Sequence, residues 1–432
     1  MNYTECLEYL DSLGKFGIQL GMERIEGLLK ELGNPEQKIK TVHVTGTNGK
    51  GSVASMITNI LLAANLKVGK FTSPHLVRWN ERIELNGKDI SDEDFATAVT
   101  ATKVAADSIV KKGVCQQPTQ FEILTAAAFL YFHLQKVDYA VIEVGMGGLW
   151  DSTNVITPVV SVITNVAMDH SERLGNSLER IAMQKAGIIK EKVPVVTAAE
   201  GNECLGPIVT FAMFREAQVY LYGKAFWGTE VESSMVGQKF TLHAGDFYAS
   251  DYEIKLPGEH QIKNTSLAVV AAKLVSKQDD RINELALHVG VANTLWPGRL
   301  ERISTGPDLI LDGAHNPNGA EALRKALDKY YPQQKIHFVF GMMGDKDMSG
   351  VINILIKPED VVYAVRADQG DRAAEAEALA KQIGEQAVPM SDLRTAYHAA
   401  VEAAGTDGVV VVCGSLYLVG EFKKMLASES MN

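Results

Sequence analysis

Four cysteines in 432 residues, Cys6, Cys115, Cys204 and Cys413, stand far apart with no CxxC and no paired spacing. That scarcity argues against a disulfide framework or a cysteine-built zinc cage, and the four read as reduced core thiols. No run approaches the roughly 18 uninterrupted apolar residues of a spanning helix, and the opening MNYTECLEYLDSL carries acids where a secretory signal has a basic end. The expectation is a cytoplasmic protein without a membrane partner. Basic residues are also short, 42 Lys and Arg against 53 Asp and Glu, and the net charge of −11 disfavours nucleic acid as a partner. Low-complexity tracts and internal repeats are missing. What is present is 46% hydrophobic and 22% charged residues over a length that implies two or three domains with ordinary cores.

The recurring theme is a short run rich in Val and Ile, a Gly-bearing turn, and a longer segment of helical spacing, which predicts an α/β protein with parallel sheets. Strands are expected at 41–45, 139–144, 159–164, 193–197, 309–312, 336–341, 361–365 and 409–413. Between Gln238 and Pro257 the pattern alternates around an Ala-Gly-Asp turn, which predicts an antiparallel hairpin attached to the first domain. Helical spacing returns at 260–276 and 281–295. WPGRLERISTGPD (296–308) then gathers Pro297, Gly298, Gly306 and Pro307, placing a domain boundary that divides the chain into 1–297 and 298–432.

In doubly wound sheets ligands sit beyond the carboxyl ends of strands, so chemistry is sought there. VHVTGTNGKGS (42–52) runs from a strand through a Gly-rich turn into a helix starting near Lys50, a geometry that aims backbone N–H groups at a phosphate chain. Lys50 would add a point charge, and Thr47 or Ser52 a hydroxyl. The strict GxxxxGK[ST] pattern fails twice, at Val44 and Gly51. Glu143 ends an apolar strand before three glycines in four residues, as a Mg²⁺ ligand or as a strand-end acid bonded to a neighbouring loop. Asp169 and His170 sit at another strand end, where a lone His is more often structural than a ligand. FTSPHLVRWNERIEL (71–85) brings Ser73, Arg78, Trp79 and Arg82 into one loop. It would meet an anionic substrate, with Trp79 or Phe121 stacking on a flat ring, or it is an exposed loop of alternating charge. Asp312, His315, Asn316, Lys346 and Ser415 follow strands of the second half; loop polarity and helix capping explain each singly, a second wall of one site explains them together.

These residues are set in TGTNGKGS, SPH with RWNERI, PTQFE (118–122), EVGMGG with DSTN (151–154), MDH with RLG, KAGIIK (185–190), LPGEHQIKN (256–264), WPGRLE, DGAHNP, DKD and GSLYLVGE. In this order, from about residue 3 to 425, they resemble the folylpolyglutamate synthases, the folate branch of the ATP-dependent Mur ligase superfamily. The resemblance implies a large P-loop domain and a smaller Rossmann-like domain with the substrates between them. It implies that Thr47, Asn48, Gly49, Lys50, Gly51 and Ser52 hold the ATP phosphates and that Asn264, Arg299 and Asp312 contact the nucleotide. Ser52, Ser73, Glu143 and His170 match the magnesium positions, with two ions expected. Lys185 matches a lysine that the family carbamylates, and His315 and Ser415 lie in motifs at the glutamate side. The catalytic set so implied is Lys50, Lys185, Asp312 and His315, with Arg78, Trp79, Arg82, Phe121, Glu122 and Ser415 as substrate-binding candidates. Where many relatives read GGRLDATN this chain has GGLWDSTN, with Leu149 and Trp150 in place of arginine and leucine.

The implied activity joins L-glutamate to the γ-carboxylate of a reduced folate through an acyl phosphate, in a monomer. Placement and charge stabilisation carry such a reaction. A bifunctional enzyme that also uses dihydropteroate is the alternative, and FGIQLGMERI (16–25) leans toward it. A guanine-nucleotide switch would need NKxD after a strand, whereas QKVD (135–138) has Gln and precedes one. A small-molecule kinase would form phosphorylated product without an amide.

Overall fold

The computed structural model describes residues 1–14, 21–245, 248–368, 370 and 372–429. Half of FGIQLGMERI (16–20 of it) and Asp246 of the Ala-Gly-Asp turn lie outside the described residues.

The larger sheet has eight strands: β1 (Lys40–Thr45), β2 (Val68–Phe71), β3 (Ile83–Leu85), β4 (Lys88–Asp89), β5 (Tyr139–Glu143), β6 (Val160–Ile163), β7 (Val195–Thr197) and β8 (Val219–Leu221). Their order is β4-β3-β2-β5-β1-β6-β7-β8. The six strands from β2 to β8 in that order run parallel, and β3 and β4 form an antiparallel edge. Central strands are buried on both faces, which is why Thr41–Thr45 and Tyr139–Glu143 read as near-continuous apolar runs. One face carries the helices Lys50–Ala63 and Glu259–Ser276, whose Ile57, Ile60, Leu267 and Ala271 pack on Val42, Val44 and Val162. The other carries Asp92–Lys111 and Gln120–Leu134 with the two N-terminal helices, around Phe95, Phe129 and Ile142.

The expected hairpin is a three-stranded antiparallel sheet, β9 (Phe226–Ser234), β10 (Gly237–Ala244) and β11 (Tyr248–Ile254). Strand β9 escaped the sequence reading because most of FWGTEVESS faces solvent and shows no apolar alternation. Phe240 and Tyr252 press the sheet onto the outer side of the helical layer.

The second domain is a six-stranded sheet: β12 (Glu301–Ser304), β13 (Asp308–Asp312), β14 (Ile336–Phe340), β15 (Val361–Ala364), β16 (Ala387–Pro389) and β17 (Val409–Cys413), ordered β12-β13-β17-β14-β15-β16. All pair in parallel except β12. Helices Pro317–Tyr330 and Met348–Leu355 cover one face and Leu393–Ala404 and Leu416–Glu429 the other. The expectation of four strands here missed β12 and β16, which are short, half-exposed edges. The two α/β units meet with the carboxyl end of β1 facing that of β13, and a flanking contact joins Ser233 to the Tyr330 hydroxyl at 2.6 Å.

Candidate active site

β1 ends in Thr45 and the chain turns through Gly46–Gly49 into the Lys50–Ala63 helix. Gly46 has φ 153° and Gly49 φ 81°, and a Cβ at Gly46 would lie 1.7 Å from Thr164 Oγ1, so both turns require glycine. A Cβ at Gly49 would meet the Asn264 side chain at 2.6 Å, which puts Asn264 directly under the turn. The helix starts without a side-chain cap and without an acid in its first turn. Its first N–H groups therefore stay open toward the cleft, an arrangement suited to an anion. Lys50 Nζ folds over the loop and donates to the Gly46 and Thr47 carbonyls, each at 3.2 Å. Thr47 is tied to Ala167 in both directions, and Ser52 is buried beneath the turn.

Four charged groups of this region are taken out of water together. Glu143, at the end of β5, accepts from the Ser73 N–H at 3.2 Å. Burial pushes its carboxyl up, and the charges of Lys50, Arg299 and Lys70 act in the opposite sense. Burial likewise lowers Arg299, against the pull of Asp312 and Glu143. Asp312 is raised by burial, opposed by Arg299 and by the N–H groups of Leu300 and Ala314, both at 2.8 Å. Lys185 is buried in the helix Leu178–Ala186, and burial followed by the charge of Lys50 drives its ammonium well below the ordinary lysine range. Both effects disfavour the charged form of Lys185, which lies within reach of the Lys50 charge.

Over the glycine turn the domain junction is made by amide side chains. Asn48 Nδ2 donates to Asn318 Oδ1 at 2.7 Å and to Asn316 Oδ1 at 3.2 Å, and Asn316 Nδ2 returns a bond to Asn48 Oδ1 at 3.0 Å. Asn165, just after β6, bonds Asn318 and the Asn48 N–H. Asp169 is the anionic centre of this junction: Lys346 lies at 2.7 Å, Asn316 Nδ2 at 3.0 Å and His315 Nε2 at 3.6 Å. Burial works against its charge, but the hydrogen bond from His315 and the charges of His170, His315 and Lys346 outweigh it and hold Asp169 below the usual carboxylate range. His170, in a left-handed turn at φ 51°, is lowered to about 4, chiefly by burial.

This glycine-rich turn on one α/β unit, closed by strand-end loops of a second, belongs to a chain that matches known families along its length. Residues 44–272 match the Mur ligase middle domain and 298–416 the Mur ligase glutamate ligase domain. A folylpolyglutamate synthase of Lacticaseibacillus casei is 37% identical over 99% of both chains. The chain is a Mur ligase of the folylpolyglutamate synthase family. The dihydrofolate synthase/folylpolyglutamate synthase of Bacillus subtilis is 36% identical over 98% of this chain and 99% of its own. Among solved structures, Mycobacterium tuberculosis folylpolyglutamate synthase complexed with ADP and AMPPCP superposes with a TM-score of 0.89 at 30% identity, covering 98% of this chain and 99% of that one. Escherichia coli FolC in complex with DHPP and ADP also reaches 0.89, at 28% identity over 100% and 99%.

The remaining candidates fall at different distances from this ligase's cleft. Arg82 donates to His75 Nδ1 at 2.9 Å, stacks on Trp79 at 4.6 Å, and carries a guanidinium lowered by burial to about 10 and influenced by Tyr417 and Glu143. It therefore lines the cleft between β5 and the last helix. Phe121 fills the space that a side chain at Gly145 would need and packs on Phe71, behind the Glu143 loop. Ser415 is buried and its hydroxyl accepts from the Tyr417 N–H, capping the final helix. Arg78 is on the surface, paired with Asp92 at 2.7 Å. Glu122 points away from the cleft: both its oxygens meet Arg24 Nε, at 3.1 and 3.0 Å, and one accepts the Thr119 N–H at 2.7 Å. The expectation of substrate contact from Arg78 and Glu122 has no geometric counterpart here, because each side chain is already engaged elsewhere.

Asn165, Asn318 and Trp296 did not enter the sequence reading as site residues. Asn165 directly follows the expected strand 159–164, so the strand-end rule pointed at it; nothing local distinguishes Asn318.

Proposed function

We propose that this ligase adds L-glutamate to the γ-carboxylate of tetrahydrofolates at the expense of ATP, within the cleft between residues 1–297 and 298–432. The observation that carries the reading is the glycine turn 46–52, with Lys50 over it, closed by Asn316 and Asn318 of the second unit. In this reading the turn and the open helix start hold the triphosphate, with Asn264, Arg299 and Asp312 at the nucleotide. The folate carboxylate attacks the γ-phosphorus and ADP leaves. The glutamate amine then attacks the acyl carbon, and phosphate departs as the amide forms. His315 and Ser415 lie on the glutamate side, and Arg82 with Trp79 and Phe121 toward the folate.

Among the described residues no group of three His, Cys, Asp or Glu is placed to cage a metal. The hard oxygen donors Glu143, Ser73 and Ser52 fit Mg²⁺, which takes one or two carboxylates and keeps phosphate and water oxygens for the rest. His170 stands beside Lys346 at 3.4 Å and is the weaker candidate for a second ion. Bound there, Mg²⁺ would neutralise charge on the phosphates. Burial disfavours the Lys185 ammonium, and the free amine is the form that adds carbon dioxide, which supports carbamylation.

The test offers purified protein, Mg-ATP and L-glutamate with tetrahydrofolate or dihydropteroate in turn, following ADP and product mass. Tetrahydrofolate extended by one glutamate with stoichiometric ADP is expected; ADP with a phosphorylated folate and no amide would sink the proposal. Turnover of dihydropteroate at a comparable rate would select the bifunctional alternative, which the Bacillus subtilis relative keeps in view.

A further inference from the structure

The stretch that leads from the first unit into the second runs along the phosphate-binding helix and is pinned to it at two glycines. Gly290, in the helix Glu284–Ala292, lies so close to Ile60 that a Cβ would come within 2.4 Å of its Cα. Nine residues back along the same helix, roughly 13 Å at 1.5 Å per residue, Gly51 meets Trp296: a Cβ there would lie 2.4 Å from Cζ2 and 2.8 Å from Cε2 of the indole. Between these points Ser55 Oγ reaches the Leu295 carbonyl at 3.5 Å. The outer side of the indole is held as well, with Lys70 Nζ 4.6 Å from the ring centroid and itself paired with Glu84. Gly51, unlike Gly46 and Gly49, has no positive φ, so nothing in its backbone calls for glycine. In a helix Ala would be favoured there on propensity. Within the protein, the indole is what a side chain at Gly51 would meet.

We propose that Trp296 is a positioning residue for ATP use: seated in the Gly51 notch, it fixes the start of the phosphate-binding helix relative to the linker that continues into Arg299. Two residues separate Trp296 from Arg299, which is read above as contacting the nucleotide, and the inference rests on that reading. The wedge sets how the turn 46–52 and Arg299 face one nucleotide together.

The proposal predicts a specific pattern of coupling between two sites. Gly51→Ala in the native background should lower kcat/KM for ATP by about tenfold or more, because the methyl group displaces the indole. Trp296→Ala should raise the KM for ATP more than it lowers kcat, and Trp296→Phe should restore part of the loss. In the double variant Gly51→Ala should cost little beyond Trp296→Ala, since its collision partner is gone. Losses that multiply independently would overturn the proposal. If Gly51→Ala alone does not fold, recovery of a folded, nucleotide-binding double variant supports the wedge, and failure of the double variant refutes it. Binding of a non-hydrolysable ATP analogue, followed by calorimetry in all four proteins, gives the same cycle without turnover, so a wrong folate assignment leaves this test intact.

Discussion

Glu122 offers a sharp division between a substrate ligand and a structural pair. Its carboxylate is 2% exposed and faces an Arg24 side chain only 10% exposed. One oxygen receives both Arg24 Nε and the Thr119 N–H, so the pair ties the helix Glu23–Glu31 to the start of Gln120–Leu134 and closes that helix's capping box. Glu122→Gln keeps the shape, but an amide presents one oxygen and turns an N–H toward a donor, so only part of this set survives. Glu122→Ala removes all of it. Breaking a buried ion pair from one side costs about 3–5 kcal/mol, and at roughly 2 °C per kcal/mol for a chain of this size the midpoint of thermal unfolding should fall by about 6–10 °C. Glu122→Gln should lie between wild type and Ala. The assay pairs circular dichroism melts with steady-state kinetics at a temperature where all three proteins are folded, and the KM for tetrahydrofolate should stay within about twofold. A melt within about 2 °C of wild type together with a tenfold rise in that KM would refute the structural reading and restore Glu122 to the substrate.

Lys50→Ala should abolish ligation while leaving the melt unchanged, because among the described residues its ammonium bonds two loop carbonyls; residual activity above about a tenth of wild type would remove Lys50 from phosphate binding. Glu143→Ala and His170→Ala should each shift the magnesium titration to higher concentration and lower turnover, Glu143 more severely. Titrations that overlay wild type in both would discard the metal assignment. His43, fully buried in β1, is held down to about 3 by burial and by the charge of Lys190. The unfolded chain therefore takes up the proton first, and stability should decline as pH falls from the ordinary 6.5 toward 3, by at most about 1.4 kcal/mol per unit. His43→Gln should flatten that decline in urea melts at pH 6, 5 and 4, and an unchanged slope would show that other groups carry it.

The fold was legible where strands are buried on both faces. Val409–Cys413 and Ile336–Phe340 are buried throughout, and their runs of Val, Ile and Phe have no other economical reading. Strands at edges left no such mark: Lys88–Asp89 is exposed, and Glu301–Ser304 is half open to solvent. What makes them strands is a neighbour's unpaired backbone, which no local pattern encodes. Helices followed the same rule, with Glu259–Ser276 one residue from its expected start, since its apolar residues face two layers.

In the site the legible part was also the local part. Gly46, Gly49 and Lys50 act through a turn made by consecutive residues, so the sequence displays the device whole. Lys185 is the opposite case: a lysine in KAGIIK looks like any helix-end cation, and what lowers it is the depth at which the helix Leu178–Ala186 lies and the charge of Lys50, over a hundred positions earlier. Glu122 misled for the same reason, because Arg24, which claims it, is 98 residues away.

The junction between the two units is built from parts of modest strength, and that suits a cleft that must admit ATP and release ADP. Neutral amide hydrogen bonds such as those of Asn48 with Asn316 and Asn318 contribute about 0.5–1.5 kcal/mol each, because water replaces them when they open. An interface of buried charge pairs in their place would leave uncompensated charges on opening, at several kcal/mol each. Among the described residues, Asp169 with Lys346 and the buried Arg299 facing Glu143 are of that kind, and a histidine flanks the Asp169 carboxylate on either side. The amide bonds over the glycine turn therefore add little to the cost of opening there, Lys50 stays on its own loop, and the charge pairs and the Tyr330 contacts carry the rest of the junction.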